Sequence, residues 1–186
     1  MTSTGSRRAR TRERLQSVAL GLFEAQGYDS TTVAQIAAAA EVTEMTFFRH
    51  FAAKERVVVD DPYDPLLGKA VAAQPREVPP LRRALAGFRA AVAALPDDDE
   101  LLRRKVRIAS RTPSLRSAVL GSTQATEDVV VGALREGGAS EPAARVAAAA
   151  LLAGLGAALL AWAETEKVTL REALVAAMDV LEASNA

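Results

Sequence analysis

The 186-residue chain contains no cysteine and only one histidine. Without cysteine it can build neither a disulfide framework nor a thiolate metal site. One histidine leaves no imidazole pair at the helical spacing of zinc enzymes. No serine stands in a Gly-x-Ser-x-Gly elbow, and Gly154-Leu155-Gly156 falls inside a helical pattern with no preceding strand, so it is not a dinucleotide-binding loop. The chain therefore reads as a non-enzyme with no cofactor and no metal. The remote alternative, a helical enzyme, lacks identifiable parts. Absence of cysteine also permits a reducing cytoplasm. Residues 1–6, followed by arginines, have no apolar signal-peptide core, so a cytoplasmic protein is expected.

Net charge is missing too, since 23 basic and 23 acidic side chains cancel. The balance hides an uneven distribution. Residues 1–14 hold Arg7, Arg8, Arg10, Arg12 and Arg14 against Glu13. Residues 1–56 carry eight basic and six acidic groups, and the remainder is slightly acidic. DNA responds to such a local basic tip rather than to the whole-chain sum.

Alternating polar and apolar residues are also absent, and almost every segment repeats at helical period. Leu15, Val18, Ala19, Leu22 and Phe23 define a first helix over about 9–26, stopped by Gly27 in the position after the C-cap. Val33, Ile36, Ala37 and Ala40 mark a second, opened by a Thr32/Gln35 capping box. Thr43 caps a third, ending near 48–51, and a fourth runs from about 53 to the Asp-Pro joint at 60–65. Further helices are expected at about 66–74, 81–95, 98–110 (with Asp97 and Glu100 as a box-like start), 113–135, 142–166 and 169–182. Val146–Ala163 is an apolar run of 18, long enough to raise the question of a membrane span. Most of it is alanine and glycine with no flanking basic cluster, so a buried soluble helix is expected. The fold class is all-α: a three-helix N-terminal domain over 1–56, with a basic arm at 1–9, and a larger helical domain over 57–186.

The segment Thr31–Lys54, TTVAQIAAAAEVTEMTFFRHFAAK, places two short helices either side of a tight Ala40-Glu41-Val42 turn. Small residues from Ala37 to Ala40 let the helices pack closely, as in a helix-turn-helix whose second helix enters the major groove. Val33, Ile36, Val42, Phe47 and Phe51 would form the core beneath it. Thr43, Glu44, Met45, Thr46, Phe48, Arg49 and His50 are left to face outward or sideways.

This stretch, with the preceding GLFEAQGYDST, resembles the DNA-binding signature of the TetR family of transcriptional regulators over about residues 10–56. The resemblance implies a dimeric, ligand-responsive repressor that binds a pseudo-palindromic operator in double-stranded DNA. It implies Thr32 and its helix N-terminus against a phosphate, Thr43, Glu44, Met45 and Thr46 over base edges with Arg49 beside them, and His50 and Lys54 on phosphates. Phe48 stands where the family usually has tyrosine, so its contact becomes apolar, to a sugar or a thymine methyl. Glu44 replaces a basic or small residue and would favour cytosine through its N4 amine. Arg7–Arg14 read either as a solvated tail or as an arm reaching DNA.

Two reading heads held about 34–36 Å apart require a dimer. Helices of about 113–135 and 142–166 are the expected interface, the latter offering Gly154, Gly156 and many alanines. The family's body usually holds a small-molecule pocket. Here Leu85, Phe88, Val92, Ile108 and Trp162 are candidate walls, with Val106 beside them, and Arg104, Arg107 and Arg111 candidate cationic partners. The Phe-Phe-Arg-His-Phe stretch and late Trp162 also resemble regulators related to the mycofactocin system, which implies an acyl-CoA-like or other apolar effector. The alternatives are a helical DNA-binding activator and an orphan regulator without ligand control.

Overall fold

The computed structural model describes residues 3–60, 64–94 and 99–183, and among them every regular element is helical. In chain order these are α1 (Ser3–Gln26), α2 (Val33–Ala39), α3 (Glu44–His50), α4 (Arg56–Val59), α5 (Asp64–Ala72), α6 (Pro80–Ala93), α7 (Glu100–Arg111), a 3₁₀ turn at Pro113–Leu115, α8 (Arg116–Glu136), α9 (Glu141–Ala163) and α10 (Leu170–Ala183). The chain divides into two compact units. The first holds Met1–Asp60 and Arg104–Val119, the second Asp61–Arg103 and Leu120–Ala186.

In the first unit, α1 buries Leu15, Ala19, Leu20 and Phe23. Gln16 joins that face, its amide donating to the Val57 carbonyl at 3.0 Å. The helix starts at Ser3 rather than near residue 9. Arginine and alanine are good helix formers, so residues 3–9 of the expected arm at 1–9 are the first turns of α1, and residues 1–2 lie outside the described residues. Gly27 closes the helix with φ +86° and donates its N–H to the Phe23 carbonyl at 3.0 Å, as a left-handed cap should. Residues 104–119 belong here because their side chains bond here. Arg104 grips both oxygens of Glu24 at 2.7 Å, Lys105 donates to the Asp60 carbonyl at 2.6 Å, and Ser114 donates to Asp29 at 2.6 Å.

In the second unit α6 packs against α5, α9 and α10. Leu85 and Val92 of α6, Leu151, Leu155 and Trp162 of α9, and Leu170, Leu174 and Met178 of α10 make its core. A β-carbon at Gly87 would lie 2.6 Å from the Val71 Cα, so the α5–α6 approach requires glycine there. Asp99 caps α7, its Oδ1 accepting from Leu102 N–H at 2.9 Å. Asp97, expected in that role, lies outside the described residues. Thr112-Pro113 opens a 3₁₀ turn rather than α8 itself, and Thr169 and Glu172 form a reciprocal capping pair on α10. By length and composition α9 could cross a membrane, yet it buries Leu151, Leu155 and Trp162 against protein, as a core helix does.

Two glycines should respond oppositely to alanine. Gly87→Ala meets fixed backbone and should destabilise by about 1–3 kcal/mol. Gly121, in α8, has nothing within 4 Å of a built β-carbon. Gly121→Ala should stabilise by about 0.5–1 kcal/mol by restricting the unfolded chain. Urea denaturation midpoints check both.

Candidate nucleic-acid interface

The Thr32 hydroxyl accepts from Gln35 N–H at 3.2 Å, and the Gln35 side chain accepts from Thr32 N–H at 2.8 Å. That reciprocal pair fixes where α2 begins. The turn that follows carries Glu41 at φ +52°, left-handed for a residue with a β-carbon, and is closed by Val42 N–H donating to the Ala37 carbonyl at 2.9 Å. The Thr43 hydroxyl then caps α3, accepting from Thr46 N–H at 3.2 Å and bonding its hydroxyl at 3.0 Å. Beneath α3 lie Phe47, fully buried, and Phe51, 1% exposed, with ring centroids 5.6 Å apart. Val33 and Val42, expected in that core, are half-buried.

With Phe47 inward, the other side of α3 faces out. Thr43, Glu44, Met45, Phe48 and Arg49 are exposed, and Thr46 and His50 are half-buried. Met45 is 67% and Phe48 50% exposed. Arg49 approaches the Met45 sulfur at 3.8 Å. Thr32, at the start of α2, is exposed as well.

Lys54 and Arg12, near the two ends of this motif, are engaged inside the unit. Lys54, expected on a phosphate, donates to the carbonyls of Tyr28 and Thr31, both at 2.8 Å, and its ammonium lies 4.0 Å over the Tyr28 ring. It ties the turn before α2 to the segment after α3. Burial, followed by the charges of Glu55 and Asp29, pushes the Tyr28 phenol up to about 12. Arg12 donates to the His50 carbonyl, pairs with Asp60 at 2.9 Å, and stacks 4.1 Å over the Phe51 ring. It is a strut at the end of α3. Arg7, Arg8, Arg10 and Arg14 remain exposed along α1. Burial first, then the charges of Arg8 and Arg12, hold the His50 pKa below 6.5.

The candidate effector residues separate. Leu85, Phe88, Val92 and Trp162 belong to the second unit, whereas Arg104, Arg107, Ile108 and Arg111 belong to the first. Arg104 is bound to Glu24. The cation beside Trp162 is Arg103, which the sequence reading passed over. It is 3% exposed, donates to the carbonyls of Trp162 (2.8 Å) and Thr165, and stacks 4.1 Å over the indole. The stripe 104, 107, 111 was one position away, about 100° around the helix. The Trp162 indole N–H is buried without a partner. A hollow of about 240 Å³ lies elsewhere in the second unit, lined by Arg76–Pro80, Arg83 and Leu134, and contains none of the eight residues.

A short outward helix, seated on buried aromatics by a tight turn and attached to a larger helical body, defines a helix-turn-helix regulator of transcription. Comparison with known proteins agrees. Residues 15–60 match the family described as bacterial regulatory proteins, tetR family, and residues 78–186 match the MftR C-terminal domain. The chain is 30% identical to the mycofactocin biosynthesis transcriptional regulator MftR of Mycobacterium tuberculosis (strain ATCC 25618 / H37Rv), covering 96% of this chain and 93% of that one. It is 39% identical to the HTH-type transcriptional regulator TcmR of Streptomyces glaucescens over 63% of this chain, a match that spans 56% of TcmR. Among solved structures, SmeT in complex with triclosan superimposes with a TM-score of 0.65 at 23% identity, covering 94% of this chain and 91% of that one. The chain belongs to the TetR family of transcriptional regulators, with an MftR-type C-terminal domain. Its families and relatives are regulators, not enzymes.

Because the fold favours neutral His50, that residue contributes its full stability above pH 6.5 and loses it as pH falls below that value. The His50 NMR titration midpoint should lie below 6.5, and Arg8→Gln should raise it. Lys54→Met should cost about 1.5–3 kcal/mol, the worth of hydrogen bonds from a charged donor, read from urea denaturation.

Proposed function

We propose that the chain is a homodimeric repressor that reads a pseudo-palindromic operator with α3 and is released by a small apolar effector. The observation that carries the DNA reading is the division of α3 into a buried Phe47 side and a free face of Thr43, Glu44, Met45, Thr46, Phe48 and Arg49. Glu44 favours cytosine by accepting from its N4 amine. His50 meets a phosphate and takes up a proton as it does so, since an adjacent anion favours the imidazolium. The exposed Thr32 hydroxyl faces a neighbouring phosphate, while Lys54 positions the turn rather than touching DNA. Arg8, on α1 near His50, extends the basic face. The compartment is the cytoplasm, where operator DNA is accessible.

The dimer forms through α9. Val146, Ala149, Ala153, Gly156 and Leu160 fall at spacings of three and four along its outer side. Val146 is 70% and Leu160 51% exposed. Such a seam of small and apolar residues suits close helix pairing. The second helix of the interface is α10, which packs on α9 and exposes Ala176 and Val180. We place it ahead of α8, the helix expected over about 113–135, because α10 packs directly on α9, although α8 also exposes Leu120 and Val129 among polar residues such as Thr123, Gln124 and Asp128.

For the effector, the unpartnered Trp162 indole N–H and the adjacent Arg103 guanidinium favour an apolar molecule with an acceptor group, of which an acyl-CoA-like thioester is one example. Such a molecule relieves repression only by preferring the conformation that does not hold DNA. An activator or an effector-independent regulator would use the same α3 surface; reporter expression in a deletion strain separates them by sign.

Gel-shift titration against the chain's own upstream DNA tests the reading. Binding should weaken steeply with salt as phosphate contacts release counterions. It should strengthen between pH 7.5 and 5.5, with that gain lost in His50→Gln. Leu160→Glu should give a monomer by sedimentation and weaken operator binding at least about tenfold, since two half-sites are no longer held together. A dimeric Leu160→Glu variant with unchanged affinity would refute the α9 interface.

A further inference from the structure

The outward face of α3 is unusually apolar for a helix that meets polar base edges. Met45 and Phe48 are one turn apart and therefore neighbours on one side of the helix, 67% and 50% exposed. Phe48 is also fixed in direction. Its ring stands edge-on against buried Phe47, centroids 5.5 Å apart and planes at 89°. Arg49 runs back along the same helix to the Met45 sulfur, and the Thr43 and Thr46 hydroxyls bond each other at 3.0 Å in the first turn. The free surface is thus an apolar pair bordered by a guanidinium, two hydroxyls and the exposed Glu44 carboxylate of the first turn.

The occupant of such a pair follows from the chemistry of the major groove. Guanine, adenine and cytosine present only donors and acceptors there, whereas thymine presents its C5-methyl group. An apolar side chain laid over a donor or acceptor leaves that group without a partner, which is unfavourable. Laid over a methyl group it removes apolar surface from water. Arg49, with Arg8 nearby on α1, supplies the positive charge that draws the face to a duplex rather than to an apolar protein surface.

Resting on the reading of α3 as the DNA-contacting helix, we infer that Met45 and Phe48 are specificity-determining residues that recognise thymine C5-methyl groups in each operator half-site. Discrimination by this pair is hydrophobic: it depends on the methyl group and not on the hydrogen-bonding pattern of the base.

Replacing thymine by uracil deletes only that methyl, which isolates the effect. The full-length protein is used to select duplexes from a random-sequence pool, and the best-bound duplex is resynthesised with each thymine in turn as uracil. The selected half-site should contain thymine, and uracil there should weaken binding about fourfold for each methyl lost. The difference between the two duplexes should shrink in Met45→Ala or Phe48→Ala and persist in Met45→Leu, which keeps apolar surface. Both alanine sites are exposed, and thermal denaturation verifies that the variants remain folded. Tolerance of uracil at every position, or a thymine preference undiminished in both alanine variants, overturns the inference while leaving DNA reading by α3 intact. If no duplex is enriched even at low salt, the underlying DNA reading fails and the inference falls with it.

Discussion

A seven-residue helix cannot sustain itself in water, because nucleation costs more than so few hydrogen bonds return. α3 exists because Phe47 is withdrawn completely from solvent beneath it, with Phe51 following at its C-cap. Everything functional on the helix depends on that burial. It sets which face is free, and the Thr43 cap and the left-handed Glu41 turn set where the face begins. Arg12 holds the other end through the His50 carbonyl, Asp60 and the Phe51 ring. A helix so short is presented rigidly only because both of its ends and its underside are tied.

The same unit shows how an electrically neutral chain can still carry a basic face. Many of its positive groups fall into two sets. Arg12, Lys54, Arg104 and Lys105 are turned inward onto carbonyls, rings and carboxylates. Arg7, Arg8, Arg10, Arg14 and Arg49 remain exposed. Acidic side chains such as Glu24, Asp29 and Asp60 are occupied by internal bonds. Net charge therefore says little about what a partner meets, whereas the assignment of each cation to a strut or to the surface says much. His50 lies between the sets: half-buried, with its pKa held below the ordinary histidine value by its burial and then by the neighbouring arginines.

Local chemistry made much of the first unit readable. The Thr32/Gln35 box, the Thr43 cap and Gly27 each act within a few residues, so they mark α2, α3 and the end of α1 directly. Phe47 and Phe51 were identifiable as core from helical spacing. The start of α1 was not, because a run of arginines looks like a solvated arm although its helix propensity is high. The fate of Lys54 was hidden too, since the carbonyls it bonds lie 23 and 26 residues away. Arg103 and Arg104 are adjacent in sequence and similar in chemistry; only packing assigns one to Trp162 and the other to Glu24. The apolar composition of α9 was evident, but which side of it stays uncovered depends on how α6 and α10 pack against the other.

The central claim is that the free face of α3 is the surface that touches DNA. Amide and methyl NMR of the full-length protein, with and without a selected duplex, tests it most directly. The account predicts that the largest shifts and the intermolecular contacts to base protons cluster at residues 43–50. Contacts confined to other helices, with α3 signals unmoved at saturation, would contradict it.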